Sequence, residues 1–149
     1  MDFELQLVML PVSDVDRAKD FYTRVAGFDL VVDGRANEGG RIVQVTPPGS
    51  ACSVGFGSGL AIDTGPLVTA APGAQRGLHL VVKDIVAARD ELIERGVAVG
   101  EILHVNDGRW EPGPEPNRGS YMSFAEFSDP DGNLWLLQEV RPVADADDR

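Results

Sequence analysis

The 149-residue chain is poor in several residue types, and each shortage closes off a class of structure. Cys52 is the single cysteine, which rules out an internal disulfide and a thiolate zinc cluster. Histidine occurs only at positions 79 and 104, and no His-Glu-x-x-His motif is present, so a metal site would need carboxylate help. Basic residues are scarce: 13 Lys and Arg stand against 24 Asp and Glu, for a net charge of −11 and a pI near 4.4. A phosphate backbone or an anionic lipid surface would be repelled, so the expected partners exclude nucleic acid and membrane. Arg109 and Arg118 remain as local spots for a small anion. No apolar run approaches the length of a membrane span, and the opening Met-Asp-Phe-Glu lacks the basic and apolar stretches of a signal peptide. The expected location is cytoplasmic.

What is present suits folding. A hydrophobic content of 43% fits one globular domain, or two small modules sharing a core. Residues 5–12 (LQLVMLPV) are apolar on both faces and read as a covered strand. Ser13-Asp14 offers capping oxygens, and Val15, Ala18, Phe21, Tyr22 and Val25 then recur at helical spacing up to Gly27. Strands follow at 28–32, 41–45 and 51–56, with a polar turn at 33–40 and a Pro/Gly/Ala/Thr-rich linker over 60–75. The pattern then restarts: a strand at 77–82, a helix marked by Ile85, Ala88, Leu92 and Ile93, and a strand at 97–103. A Pro/Gly loop without strand pattern spans 107–120. Strands at 121–127 and 134–140 flank the tight turn Ser128-Asp129-Pro130-Asp131-Gly132-Asn133, and the tail beyond Arg141 is acidic and patternless.

The halves repeat. VSDVDRA at 12–18 matches VKDIVAA at 82–88, 70 residues later, and each half reads strand–helix–strand–strand–strand. The expected organisation is α+β: a first module with linker over 1–70, a second over 71–142, and a disordered acidic tail at 143–149. Two such half-sheets, each backed by a helix, would form a cupped mixed sheet with helices outside and a cleft within.

Three stretches, LPVSDVDRAKDFYTRVAGFDL, LHLVVKDIVAARDELIERGV and SDPDGNLWLLQE, together resemble the vicinal oxygen chelate superfamily over residues 5–140. This superfamily holds glyoxalase I, extradiol dioxygenases, fosfomycin-modifying enzymes and bleomycin-binding resistance proteins. The resemblance implies a fold rather than an activity, because many chemistries share the scaffold. It also implies a central divalent metal held by His, Gln or Glu. The matching positions are Leu7, Gly55, Gly77 and Leu136, which bring no side-chain donor. The expectation is therefore a cleft with no metal ligands and no cofactor. Glu139 falls on the opposite strand parity to Leu136 and reads as a rim or surface carboxylate.

Strand alternation then selects the cleft face: Met9, His79, Phe124, Glu126 and Gln138. Phe56 joins it if Gly55 and Gly57 allow a bulge. Trp110 on the long loop offers a stacking surface, or else an anchor for that loop, and Tyr121 opens the closing hairpin as a further ligand-binding candidate. His104 begins the long loop and reads as solvent-exposed. His79 and Glu126 are the candidate catalytic residues, as a proton-transferring pair; Glu126 could instead pair with an arginine such as Arg118 or hold a cationic group of a ligand. Three functions compete. The first is metal-free binding of a small, mainly apolar or aromatic molecule, of the sequestration or resistance type. The second is a cofactor-independent isomerase or lyase using His79 and Glu126. The third is a metal enzyme with displaced ligands such as His79, Glu126 and Gln138. The linker permits a homodimer, with or without exchanged modules.

Overall fold

The computed structural model describes residues 1–35, 39–59 and 71–142. Most of the linker expected at 60–75, the tail at 143–149 and part of the turn at 33–40 lie outside the described residues. The chain resolves into two compact units. The first comprises Met1–Arg76 together with Ser128–Leu134, and the second comprises Gly77–Phe127 and the chain from Trp135 onward.

In the first unit, β1 (Leu7–Met9) runs parallel to β4 (Ser53–Ser58). Antiparallel β3 (Arg41–Thr46) and β2 (Asp29–Arg35) complete the sheet in the order β1-β4-β3-β2. Strand β2 continues through residues expected to form a turn. Asp33 anchors it there: its carboxylate takes hydrogen bonds from Arg41 Nε at 3.2 Å and Lys19 Nζ at 2.7 Å, and these hold its pKa down to about 2. Helix α1 (Val15–Asp20) passes directly into a π-helical turn at Phe21–Val25. That extra residue per turn turns Tyr22 inward, where its ring stacks on Phe56 at 5.7 Å and its hydroxyl donates to Asp129 Oδ2 at 2.7 Å. Val43, Val45, Tyr22 and Phe56 are completely buried, and a ring such as Phe56 contributes about 2–3 kcal/mol by leaving water.

The turn at 128–134 is folded into this same unit. The Asp129 carboxylate accepts from Tyr22, from the Asn133 backbone N–H at 2.9 Å and from Asn133 Nδ2 at 2.8 Å. Asn133 also donates to the Pro11 carbonyl and accepts from the Gln75 N–H, so every arm of its amide is used. Gly73 touches the turn so closely that a Cβ there would sit 2.1 Å from the Asp131 carbonyl oxygen; with φ +82°, only glycine fits.

In the second unit, β5 (Leu78–Val82) runs parallel to β9 (Leu134–Glu139). Next to β9 come β8 (Ser123–Ser128), β6 (Leu103–Asn106) and β7 (Arg109–Pro112), in the order β5-β9-β8-β6-β7. Helix α2 (Ile85–Arg95) follows β5 as α1 follows β1. The duplication is visible in the backbone: the N-cap residues Asp14 (φ −140°, ψ 109°) and Asp84 (φ −139°, ψ 103°) have matching geometry, and each side chain accepts from the first-turn amides. The buried face of this sheet carries Ala125, Phe127, Trp135 and Leu137, with Phe127 and Trp135 stacked in parallel planes at 6.0 Å.

Two expectations change here. The strand expected at 97–103 reduces to a single bridge, Val99 to Phe127, before β6 begins at Leu103. The first part of the segment expected to be a structureless loop, 107–112, joins a β-hairpin instead. Asp107 (φ 52°) and Gly108 (φ 77°) make a two-residue turn with both φ positive, the geometry that matches strand twist, and β7 pairs back on β6 from Asn106↔Arg109 to Leu103↔Pro112. Pro112 is tolerated because β7 is an edge strand.

Candidate apolar cavity on the second sheet

The face of the second sheet opposite its buried residues follows strand alternation. Phe124 and Glu126 alternate with buried Ser123, Ala125 and Phe127, and Leu134, Leu136 and Gln138 alternate with buried Trp135, Leu137 and Glu139. Over part of this face lies a cavity of about 660 Å³. Its wall is apolar, built from Leu103, Trp110, Phe124 and Leu136. Its polar side is Gly100, Glu101 and Glu126. The β6–β7 hairpin supplies Trp110, which meets Phe124 edge-to-face at 5.7 Å and 79° yet stays 60% exposed. That combination presents a fixed aromatic surface to solvent.

Arg89 on α2 fixes the 99–100 segment by donating to the Gly100 and Val99 carbonyls at 2.7 and 3.4 Å. The Gly100 N–H donates to the Glu126 carbonyl at 2.8 Å, placing the 100–101 segment beside β8. His104 is buried, contrary to the expectation of exposure: its Nδ1 donates to the Gly113 carbonyl at 2.7 Å, and Nε2 lies 3.7 Å from Glu111. It thereby ties the hairpin to the segment that follows it.

Glu139 is the larger correction. It is fully buried rather than at a rim. The Arg118 guanidinium grips it with two parallel hydrogen bonds, 2.9 Å to Oε2 and 2.5 Å to Oε1, and the Ile85 N–H at the start of α2 adds a third at 3.0 Å. Arg118 first, and the helix amide next, hold its carboxyl below the usual glutamate range against the opposing effect of burial. Arg118 also reaches Asp84, so it pairs with these two carboxylates and not with Glu126.

Of the sequence-selected residues, Trp110, Phe124 and Glu126 come together at the cavity. Gln138 shares their sheet but lies outside the cavity wall, and Tyr121 is 62% exposed, also outside it. Met9 packs over Gly55 in the first sheet. Phe56 keeps the parity opposite to Gly55 and is sealed in the core under Tyr22, with no bulge turning it outward. His79 is exposed on β5, and its Nδ1 donates to the Gly77 carbonyl at 2.8 Å. Strand β9 separates β5 from β8, so about 10 Å of sheet stands between His79 and Glu126, and a joint role would need a substrate bridging them. Sequence reasoning did not single out Gly100, Glu101 and Leu103; only the period-2 alternation of β6 pointed toward Leu103.

The residues at the family's metal positions do not fit a metal. A Cβ at Gly55 would meet Leu7 Cδ1 and Met9 Sδ at 3.1 Å, so hydrocarbon and thioether cover that spot. Leu136 contributes to an apolar wall, and Gly77 has no side chain. Among the described residues, no three His, Cys, Asp or Glu side chains gather closely enough to share an ion.

A βαβββ unit followed by a related unit that carries one extra strand, β7, forms an α+β, glyoxalase-like fold. Residues 4–137 match the model of the Glyoxalase/Bleomycin resistance protein/Dioxygenase superfamily, and the chain belongs to that family. It is similar to TnmS3, an antibiotic binding protein from Streptomyces sp. CB03234, at 37% identity over 93% of this chain and 97% of that one, with a TM-score of 0.67. A superfamily member from Sphaerobacter thermophilus shares 32% identity over 93% and 98% of the two chains, with a TM-score of 0.66. Among curated proteins, the uncharacterized YetH of Bacillus subtilis is 25% identical over 91% of this chain and 98% of its own length. Among the described residues, no helix is long and apolar enough to cross a membrane.

Proposed function

We propose that the protein binds a small, mainly apolar or aromatic organic molecule in the second-sheet cavity, without a metal, as a sequestering or resistance-type protein. The carrying observation is the cavity itself: about 660 Å³ walled by Leu103, Trp110, Phe124 and Leu136 is the size and character of a small-molecule site. The similarity to an antibiotic binding protein supports the same reading. So does the replacement of donor residues by leucine and glycine, which leaves hydrophobic contact and ring stacking as the means of recognition. The proposal includes a homodimer acting in the cytoplasm, since a second copy would cover apolar side chains such as Val81, Tyr121 and Met122 that are exposed here.

Titration with the neutral aromatic probe N-phenyl-1-naphthylamine tests the reading. Saturable fluorescence enhancement is expected, weakened about tenfold by Trp110→Ala, the loss typical of a buried aromatic contact. Enhancement identical in the wild type and Trp110→Ala would place the probe elsewhere and remove the proposal's support.

A further inference from the structure

Recognition within the cavity need not be purely apolar. Building on the proposed binding role, we infer that the site selects a flat aromatic molecule carrying a positive charge, such as a protonated ring amine. Glu101 and Glu126 both line the cavity, and both are exposed there: Glu126 Cγ would lie 3.6 Å from a Cβ built on Gly100, the residue before Glu101. Among the described residues neither carboxylate has a hydrogen-bond or ion-pair partner, whereas Asp33, Asp129 and Glu139 are each tied down. Among the described residues, no lysine or arginine lines the cavity. The neighbouring guanidinium, Arg89, is committed to the Gly100 and Val99 carbonyls.

A cationic ligand in the cavity would be attracted to both carboxylates, neither of which, among the described residues, is held by an ion pair of its own. The exposed ring of Trp110 adds a second attraction, because its negative π-face favours a cation over a neutral ring of the same shape. The overall charge of −11 draws cations toward the protein and repels anions. Shape therefore comes from the Trp110–Phe124 wall and charge selection from Glu101 and Glu126.

The test compares three probes sharing one ring system: cationic 9-aminoacridine, neutral acridine and anionic acridine-9-carboxylate. Each is titrated into the full chain at neutral pH by calorimetry. The expected order is cation, neutral, anion, with the cation about tenfold tighter than the neutral ring, equivalent to about 1.4 kcal/mol. The double variant Glu101→Gln/Glu126→Gln is expected to bring the cation-to-neutral ratio to about one, and raising salt from about 0.05 M to about 0.5 M should shrink it in the wild type. Acridine binding as tightly as 9-aminoacridine would overturn the charge selection while leaving the cavity reading intact. A cation preference that survives the double variant would overturn the assignment to these two carboxylates. Failure of all three probes to bind would overturn both readings.

Discussion

The two sheets come from one duplicated plan, and they differ in what occupies the face that the plan leaves open. In the first, Leu7 and Met9 fold over Gly55, and the glycine exists as space for them. In the second, the corresponding face is hollow, and Trp110, Phe124, Glu101 and Glu126 surround the hollow. Each unit also buries a carboxylate and satisfies it differently. Asp129 sits among a phenol and amides, and Glu139 is held by a guanidinium. Duplication thus preserves the framework of strands and caps while the side chains on each copy diverge.

Three sets of substitutions sharpen this contrast. The largest effect is expected from Arg118→Ala, which leaves Glu139 buried without its counter-charge. A loss of about 3 kcal/mol in unfolding free energy by denaturant titration is expected. The same pair gives the second unit an acid-dependent contribution to stability, as the bonds from Arg41 and Lys19 to Asp33 give the first. Arg118 lowers the folded-state pKa of Glu139, so the pair's contribution is present above the ordinary glutamate range and is lost as pH falls through the depressed value. Wild-type stability should therefore fall on acidification below about pH 4.5, while a Glu139→Gln variant should show a shallower decline.

The intermediate effect is Tyr22→Phe in the first unit. It removes one of several donors to Asp129, and about 1.5 kcal/mol is expected, since the remaining amide bonds stay in place. A loss as large as that of Arg118→Ala would show that the two buried carboxylates are equally dependent on a single partner.

The smallest and most direct comparison sets two glycines side by side. Gly55→Ala would press a methyl against Leu7 and Met9 at 3.1 Å, and about 1 kcal/mol of destabilisation is expected. Gly100→Ala meets nothing closer than the Glu126 carbonyl at 3.5 Å, so a change within about 0.5 kcal/mol is expected. Equal costs in thermal unfolding would erase the distinction between a filled face and a hollow one.

Much of this architecture is readable from residue order because it depends on local rules. The Asp14 and Asp84 caps, the helical spacing after each, and the alternation in β8 and β9 all act within a few residues. The β6–β7 hairpin was equally local, announced by Asp107-Gly108, but Pro112, Gly113, Pro114 and Pro116 made the surrounding stretch resemble loop. The misplacement of Glu139 has a different origin. Its partner lies 21 residues earlier on a segment where Arg118 (φ 54°) and Tyr121 (φ 69°) adopt left-handed conformations, and no spacing rule anticipates that path. Glu101 escaped notice because it lies between a lone bridge and a strand, where alternation has no purchase.

The sequence by itself determined the duplicated α+β framework and the alternation of faces along β8 and β9, since these rest on periodicity, capping and residue type. Tertiary structure alone decided that a cavity forms over the second sheet and, among the described residues, which carboxylates are held by ion pairs. Those outcomes depend on side chains meeting across the fold, where the volume of a glycine or the reach of an arginine decides what remains open.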